Sequence, residues 1–153
     1  MNLKLSFSCI GLAVFALPML INVFYAVFPP KEETEGGKAV TRWVEIAEQV
    51  SRIAYLIAVT CLTSREAVSL RSAWLYIGGL FLVMYYAVWI RYFAGGRKLL
   101  LLRKSFLSVP MPLVVFPVLY YLCAAVWLHN LPAAVIMVIF GAAHLTVSVQ
   151  SFR

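Results

Sequence analysis

Apolar residues run along this chain in blocks of membrane-crossing length, separated by short polar stretches, and the blocks predict transmembrane helices. A hydrocarbon core of about 30 Å needs roughly 20 helical residues at 1.5 Å each. Residues 5–28, 73–90, 106–128 and 132–149 meet that length directly. The last two are joined by a tight turn at His129, Asn130 and Leu131.

A fifth span is less obvious. Residues 53–62 are apolar but too short, and they reach the required length only if the helix begins near Trp43 and takes Glu45, Glu48 and Arg52 into the membrane. At 100° per residue those three share one face with Tyr55, while Ile46, Val50, Ile53 and Ile57 form a separate stripe suited to lipid. A third strip, Ala47, Ser51, Ala54 and Ala58, is small enough to let a neighbouring helix approach closely. This three-sided pattern favours a span over residues 43–62. The alternative is a surface amphipathic helix followed by a short buried piece, which leaves four spans. The expected fold is therefore an all-α polytopic transmembrane helix bundle, one domain over residues 1–153, with five spans or, failing the second, four.

The first apolar run is longer than the roughly 7–15 residues of a secretory signal, so it reads as a retained span. Pro18 inside it deprives one carbonyl of its helical donor, which neighbouring helices can replace.

Composition agrees with this reading. The 153 residues are 63% hydrophobic and 12% charged, about half the charged fraction of ordinary soluble domains, and the mean hydropathy is +0.91. Cys9, Cys61 and Cys123 fall in apolar stretches and read as small hydrophobes, not as a disulfide framework or a metal site. Aspartate is absent from the sequence, which removes aspartate-based metal sites and catalytic dyads.

The net charge of +7 maps onto sidedness. With five spans and the C-terminus inside, Lys31, Lys38, Arg42, Arg91, Arg97, Lys98, Arg103, Lys104 and Arg153 lie on the cytoplasmic side, against Lys4, Arg65 and Arg71 outside. Basic residues favour the cytoplasm, so the N-terminus is expected outside and the C-terminus inside. Nucleic-acid binding is a poor account of charges so distributed. Arg97, Lys98, Arg103 and Lys104 bracket four leucines, and each basic residue near an anionic leaflet contributes about 1 kcal/mol. This loop is expected on the inner membrane surface, as a topology signal or as a contact for anionic lipid.

The same topology gathers the intramembrane polar residues in the cytoplasmic half: Asn22 in the first span, Glu45, Glu48 and Arg52 in the second, and His144 in the fifth. Arg52 and His144 fall at similar depth, roughly 13–16 Å from their helix ends. An ionisable side chain in hydrocarbon costs about 2.5–3.5 kcal/mol, so such residues turn inward and pair. Glu48 and Arg52, four apart, can pair within one helix, which leaves Glu45 and His144 to find partners elsewhere. Glu45, Glu48, Arg52, Arg91 and His144 form the candidate polar intramembrane site. One reading is a pocket open to the cytoplasm, in which Glu45 or His144 handles a proton and Arg52 or Arg91 holds an anion. The other is a set of interhelical bonds that fixes helix register. His144 shares a mostly small face with Ala134, Met137, Gly141 and Ser148. His129, in the turn, reads as solvated, and with no nearby cysteine or aspartate neither histidine points to a metal site.

Pro110, Pro112 and Pro117 crowd the beginning of the fourth span. They remove helix donors, so an extended or kinked stretch is expected before a regular helix near Val118, and a cavity beside it. Glu32, Glu33 and Glu35 with Gly36 and Gly37 read as a solvated connector.

The blocks Trp89-Ile-Arg-Tyr-Phe93 with Gly96-Arg97, Pro110-Met-Pro112 through Phe116-Pro117, and Phe140-Gly-Ala-Ala-His144, together with Phe28-Pro-Pro30, resemble a family of short bacterial membrane proteins to which no activity is assigned. The resemblance implies a bacterial cytoplasmic membrane protein and supplies no catalytic residues. The small helical enzymes of eicosanoid and glutathione metabolism are set aside, because their second-helix Asn-x-x-Glu is replaced here by Glu45-Ile-Ala-Glu48.

No phosphate loop, nucleotide fingerprint, nucleophile–base set or cysteine pair is present in the sequence. The expectation is a non-enzymatic accessory or interaction protein of the membrane, with no cofactor. Its expected partners are the bilayer, anionic lipid, and a second copy or another membrane protein. Alternatives are a small-solute transporter or channel formed by an oligomer, and a membrane enzyme acting on an amphiphile.

Overall fold

The computed structural model describes residues 3–31 and 40–151. Lys38, Arg153 and the Glu32, Glu33, Glu35, Gly36, Gly37 connector lie outside the described residues. Among the described residues, six helices make up the all-α body: α1 (Cys9–Val27), α2 (Arg42–Cys61), α3 (Ala73–Ala94), α4 (Leu99–Arg103), α5 (Pro112–Trp127) and α6 (Leu131–Ser151). Two three-residue strands, β1 (Leu3–Leu5) and β2 (Leu62–Ser64), pair antiparallel with Lys4 opposite Thr63. Among the described residues three helices, α1, α3 and α6, are long and apolar enough to cross a membrane. Helix α5 is apolar but has 16 residues, and α2 has 20 but carries Arg42, Glu45, Glu48 and Arg52.

The first helix begins later than its hydropathy predicts. Residue 5 is strand, because residues 3–8 run antiparallel to the end of α2 and satisfy its last carbonyls: Ser6 N–H donates to the Cys61 carbonyl at 3.0 Å and Ser8 N–H to Thr60 at 2.7 Å. Ser8 then caps α1, its hydroxyl accepting from the Gly11 N–H at 2.9 Å, which meets one of the orphan donors of a helix start. A Cβ on Gly11 would collide with the Val59 carbonyl, so glycine sets how closely α1 and α2 approach.

The start of α5 also departs from the expectation of a regular helix only near Val118. Residues 106–111 are not helical, apart from a Phe106–Val109 bridge, and the helix begins at Pro112. Proline is well tolerated at the first helical position, where its missing N–H would have no partner. Met111, immediately before it, turns the chain through a left-handed conformation at φ 51°. Pro117 sits inside the helix, where it offers no donor to the Leu113 carbonyl.

The α2/α6, α3/α5 and α5/α6 pairs pack most extensively, and α1 lies against this core with fewer contacts. Outward residues of α1, among them Leu20, Val23, Phe24 and Val27, are exposed. What fastens α1 is a row of tyrosine hydroxyls. Pro18 cannot donate to the Val14 carbonyl, and the Tyr120 hydroxyl does so instead at 3.0 Å. Tyr121 donates to Phe15 at 2.9 Å and Tyr86 to Leu17 at 2.5 Å. Interhelical hydrogen bonds of this kind contribute about 0.6–2 kcal/mol each in an apolar medium.

Along α2 the stripe Ile46, Val50, Ile53 and Ile57 faces outward as its spacing predicts. The inward face is centred between the polar and small strips: Glu48, Ser51, Tyr55 and Ala58 are buried, whereas Ala47 is exposed.

The bundle has two unlike ends. One, the ladder end, holds β1, β2 and the α5–α6 turn. There Asn130, 1% exposed, donates from Nδ2 to the carbonyls of Ala58 and Leu62, both at 2.8 Å. Its Oδ1 accepts from the Ala133 N–H at 3.1 Å, capping α6. The other, the basic end, holds α4 and the adjoining loops, with Lys31, Arg42, Arg91, Arg97, Lys98, Arg103 and Lys104.

Candidate functional site

Helices α2 and α6 bring together three of the five candidate polar residues. Arg52, one turn after Glu48, donates from a terminal guanidinium nitrogen to Glu48 Oε1. The same oxygen lies 3.1 Å from His144 Nδ1. A carboxylate can only accept, so Nδ1 carries the proton and Nε2 is the ring nitrogen left for other partners. The Glu48 side chain is 7% exposed, against 24% for His144 and 38% for Arg52, so the carboxylate is the buried centre and the other two cover it. Phe140, one turn before His144, stacks on the imidazole at 5.1 Å between ring centres. The Arg52 guanidinium lies over the same phenyl ring at 5.6 Å, within cation–π range.

A partly open cavity of about 300 Å³ adjoins this cluster. Arg52, His144 and Ser148 form part of its wall. Asn22 of α1, Tyr85 and Trp89 of α3, and Leu113 and Pro117 of α5 supply more of it, and Leu102 and Met111 close it toward α4. The proline-rich start of α5 is thus beside a cavity, as its missing donors suggest. Glu48 is not part of the wall.

Two groups on the wall are short of partners. Trp89 is 5% exposed, and its indole N–H, although near the Tyr85 hydroxyl, makes no hydrogen bond of normal geometry. The Tyr85 hydroxyl donates to Asn22 Oδ1 at 3.1 Å, which orients the amide and leaves Nδ2 facing only the Met19 thioether at 3.8 Å.

Glu45 and Arg91 stand apart from the cluster. Glu45 is exposed and lines an open groove with Arg42, Gln49 and Val147. Arg91 latches the α4 loop: it donates to the carbonyls of Leu101 at 2.5 Å, Lys104 at 2.9 Å and Ser105 at 3.1 Å, and lies 5.3 Å from the Phe106 ring centre. A cation there complements the carbonyl-rich end of a helix. Arg97, Lys98, Arg103 and Lys104 all flank α4. Arg97 is half-buried, with φ 61°, and the other three are exposed.

Sequence reasoning missed Trp89, Tyr85 and Met111 as wall residues. An aromatic within an apolar run carries no mark separating a cavity wall from a lipid-facing surface. Asn22 did carry a signal, as an amide inside the first span. His129 lies 3.3 Å from Glu66 at the exposed ladder end, distant in sequence from the cluster. Comparison of the chain with known protein families, curated proteins and solved structures finds no match.

Proposed function

We propose that this chain is a five-pass protein of a bacterial cytoplasmic membrane, with its basic end in the cytoplasm, and that it acts as an accessory protein by holding a ligand in the cavity without transforming it. The observation that carries the reading is the cavity itself, set against a buried ion cluster at the basic end. Several features support the topology. The lipid stripe of α2 faces outward while Glu48 faces in, covered by Arg52. The basic residues collect at one end, as they do on cytoplasmic faces. Exposed Leu100 and Leu107 on the α4 loop suit the boundary between headgroups and hydrocarbon.

The ladder half is closely packed, with Val59, Ala133 and Met137 at 1% exposure or less, which argues against a continuous solute path. A second reading, an enzyme acting on an amphiphile with His144 as acid or base, draws on the same cavity. It ranks behind, because Glu45, the other candidate acid or base, is exposed and stands outside the cavity wall.

Single-cysteine variants Trp43→Cys, Thr63→Cys and Ser148→Cys, with the native cysteines replaced, test the proposal using an impermeant maleimide. Positions 43 and 148 are expected to react from the cytoplasmic side and position 63 from the opposite side. Reaction of 43 and 63 from the same side overturns the five-pass topology. With that topology intact, an inert Ser148→Cys overturns the cytoplasm-facing cavity.

A further inference from the structure

We infer that the cavity is a receptor for the anionic headgroup of a membrane lipid, an inference that rests on the membrane reading above. Two of the cluster's three groups reach the wall. Arg52 and His144 do, while the carboxylate that balances them, Glu48, sits behind them. The cavity therefore meets the Arg52 cation and not the carboxylate. The bond to Glu48 occupies one guanidinium nitrogen of Arg52 and leaves its other N–H groups to donate, whereas His144, with its proton on Nδ1, presents Nε2 as an acceptor.

One neutral donor adds to the imbalance. Asn22 is held by Tyr85 with its oxygen occupied and its NH₂ facing only a thioether sulfur. The Arg52 cation and the Asn22 amide N–H groups, with no carboxylate on the wall, suit an oxyanion, whether phosphodiester or carboxylate, and the His144 Nε2 acceptor suits a hydroxyl of the same headgroup.

The rest of the wall decides for an amphiphile. Met19, Leu102, Leu113, Val114 and Phe140 give apolar surface next to the donors, as an acyl chain attached to the anion requires. The basic α4 loop beside the cavity raises the local concentration of anionic lipid.

Native mass spectrometry of the purified full chain in mild detergent tests this, with titration of phosphatidylglycerol, phosphatidylcholine or inorganic phosphate. One phosphatidylglycerol is expected to remain bound at concentrations where phosphatidylcholine is at least tenfold less retained. Arg52→Gln is expected to reduce retention about tenfold and Asn22→Leu about threefold. A charge-matched pair at the ladder end, Arg65→Gln with Arg71→Gln, is expected to change it less than twofold. If Arg52→Gln does not fold, Asn22→Leu, at an exposed position of α1, carries the test. Equal retention of the two lipids overturns the inference, as does a loss concentrated in Arg97→Gln with Lys98→Gln, which places the lipid on the loop. Displacement by inorganic phosphate as effective as by phosphatidylglycerol also overturns it, by assigning the site to a soluble anion. Failure here with the labelling pattern intact removes only the lipid assignment; failure of the labelling removes both.

Discussion

The two ends of this bundle treat buried polar atoms differently. At the ladder end Asn130 joins three backbone groups from α2, β2 and α6, and the Trp127 indole donates to the Ser69 carbonyl at 2.8 Å. One hydroxyl there, that of Thr63, lacks a partner. At the basic end a cavity opens, the Trp89 indole and the Arg91 Nε are unpaired, and left-handed backbone gathers at Arg97, Leu107, Ser108 and Met111. Such conformations cost about 1–2 kcal/mol for each residue bearing a Cβ. One chain thus builds a clamp whose amide is fully partnered and a site with unpaired donors within the length of the same helices, while hollows of about 150 and 310 Å³ and the left-handed His129 also lie at the ladder end. The lesson is that the partnering of buried polar atoms, and not the presence of cavities, differs along the bundle axis.

Three substitutions set this contrast at risk. The largest effect is expected from Asn130→Ala, which leaves the Ala58 and Leu62 carbonyls without the amide and uncaps α6. A loss of about 3 kcal/mol in reversible unfolding from bicelles is expected, and a loss below about 1 kcal/mol would dissolve the clamp as an idea. Tyr120→Phe comes next, at about 1 kcal/mol, because the Val14 carbonyl that Pro18 abandons loses its replacement donor. Its effect should nearly vanish in a Pro18→Ala background, where the helix supplies its own N–H again; the double-mutant cycle measures this. The smallest belongs to the basic end. Trp89→Phe deletes an N–H that bonds to nothing, so stability should move by less than about 0.5 kcal/mol. A loss as large as that of Tyr120→Phe would show that the indole nitrogen is satisfied after all.

The helices were legible because apolar blocks of membrane length leave few ways to be read, and the outward stripe of α2 followed from period alone. So did the Glu48–Arg52 pair, since i,i+4 neighbours meet on any helix. That Glu48 also serves His144, ninety-six positions away, was legible only as a match of depth, because rotation about each helix axis is set by packing. The ladder was hidden: three-residue strands carry no period, and Leu3–Leu5 merges into the apolar run that follows. Asn130 did leave a trace. An asparagine two residues before a proline at a helix start is a capping signal, but nothing in the sequence tells that its amide also reaches α2. Arg91 was assigned to the polar group for its depth, whereas the turn of α4 back over the end of α3 supplies it with carbonyls.

The tyrosines that grip α1 hold peptide carbonyls, and every residue except for its side chain presents the same oxygen. A helix fastened in this way is indifferent to the identity of most of its own residues. Over evolutionary time its surface is therefore at liberty to drift to suit lipids of different thickness or composition. Tyr86, Tyr120 and Tyr121, on the helices doing the gripping, are the positions where drift would be punished.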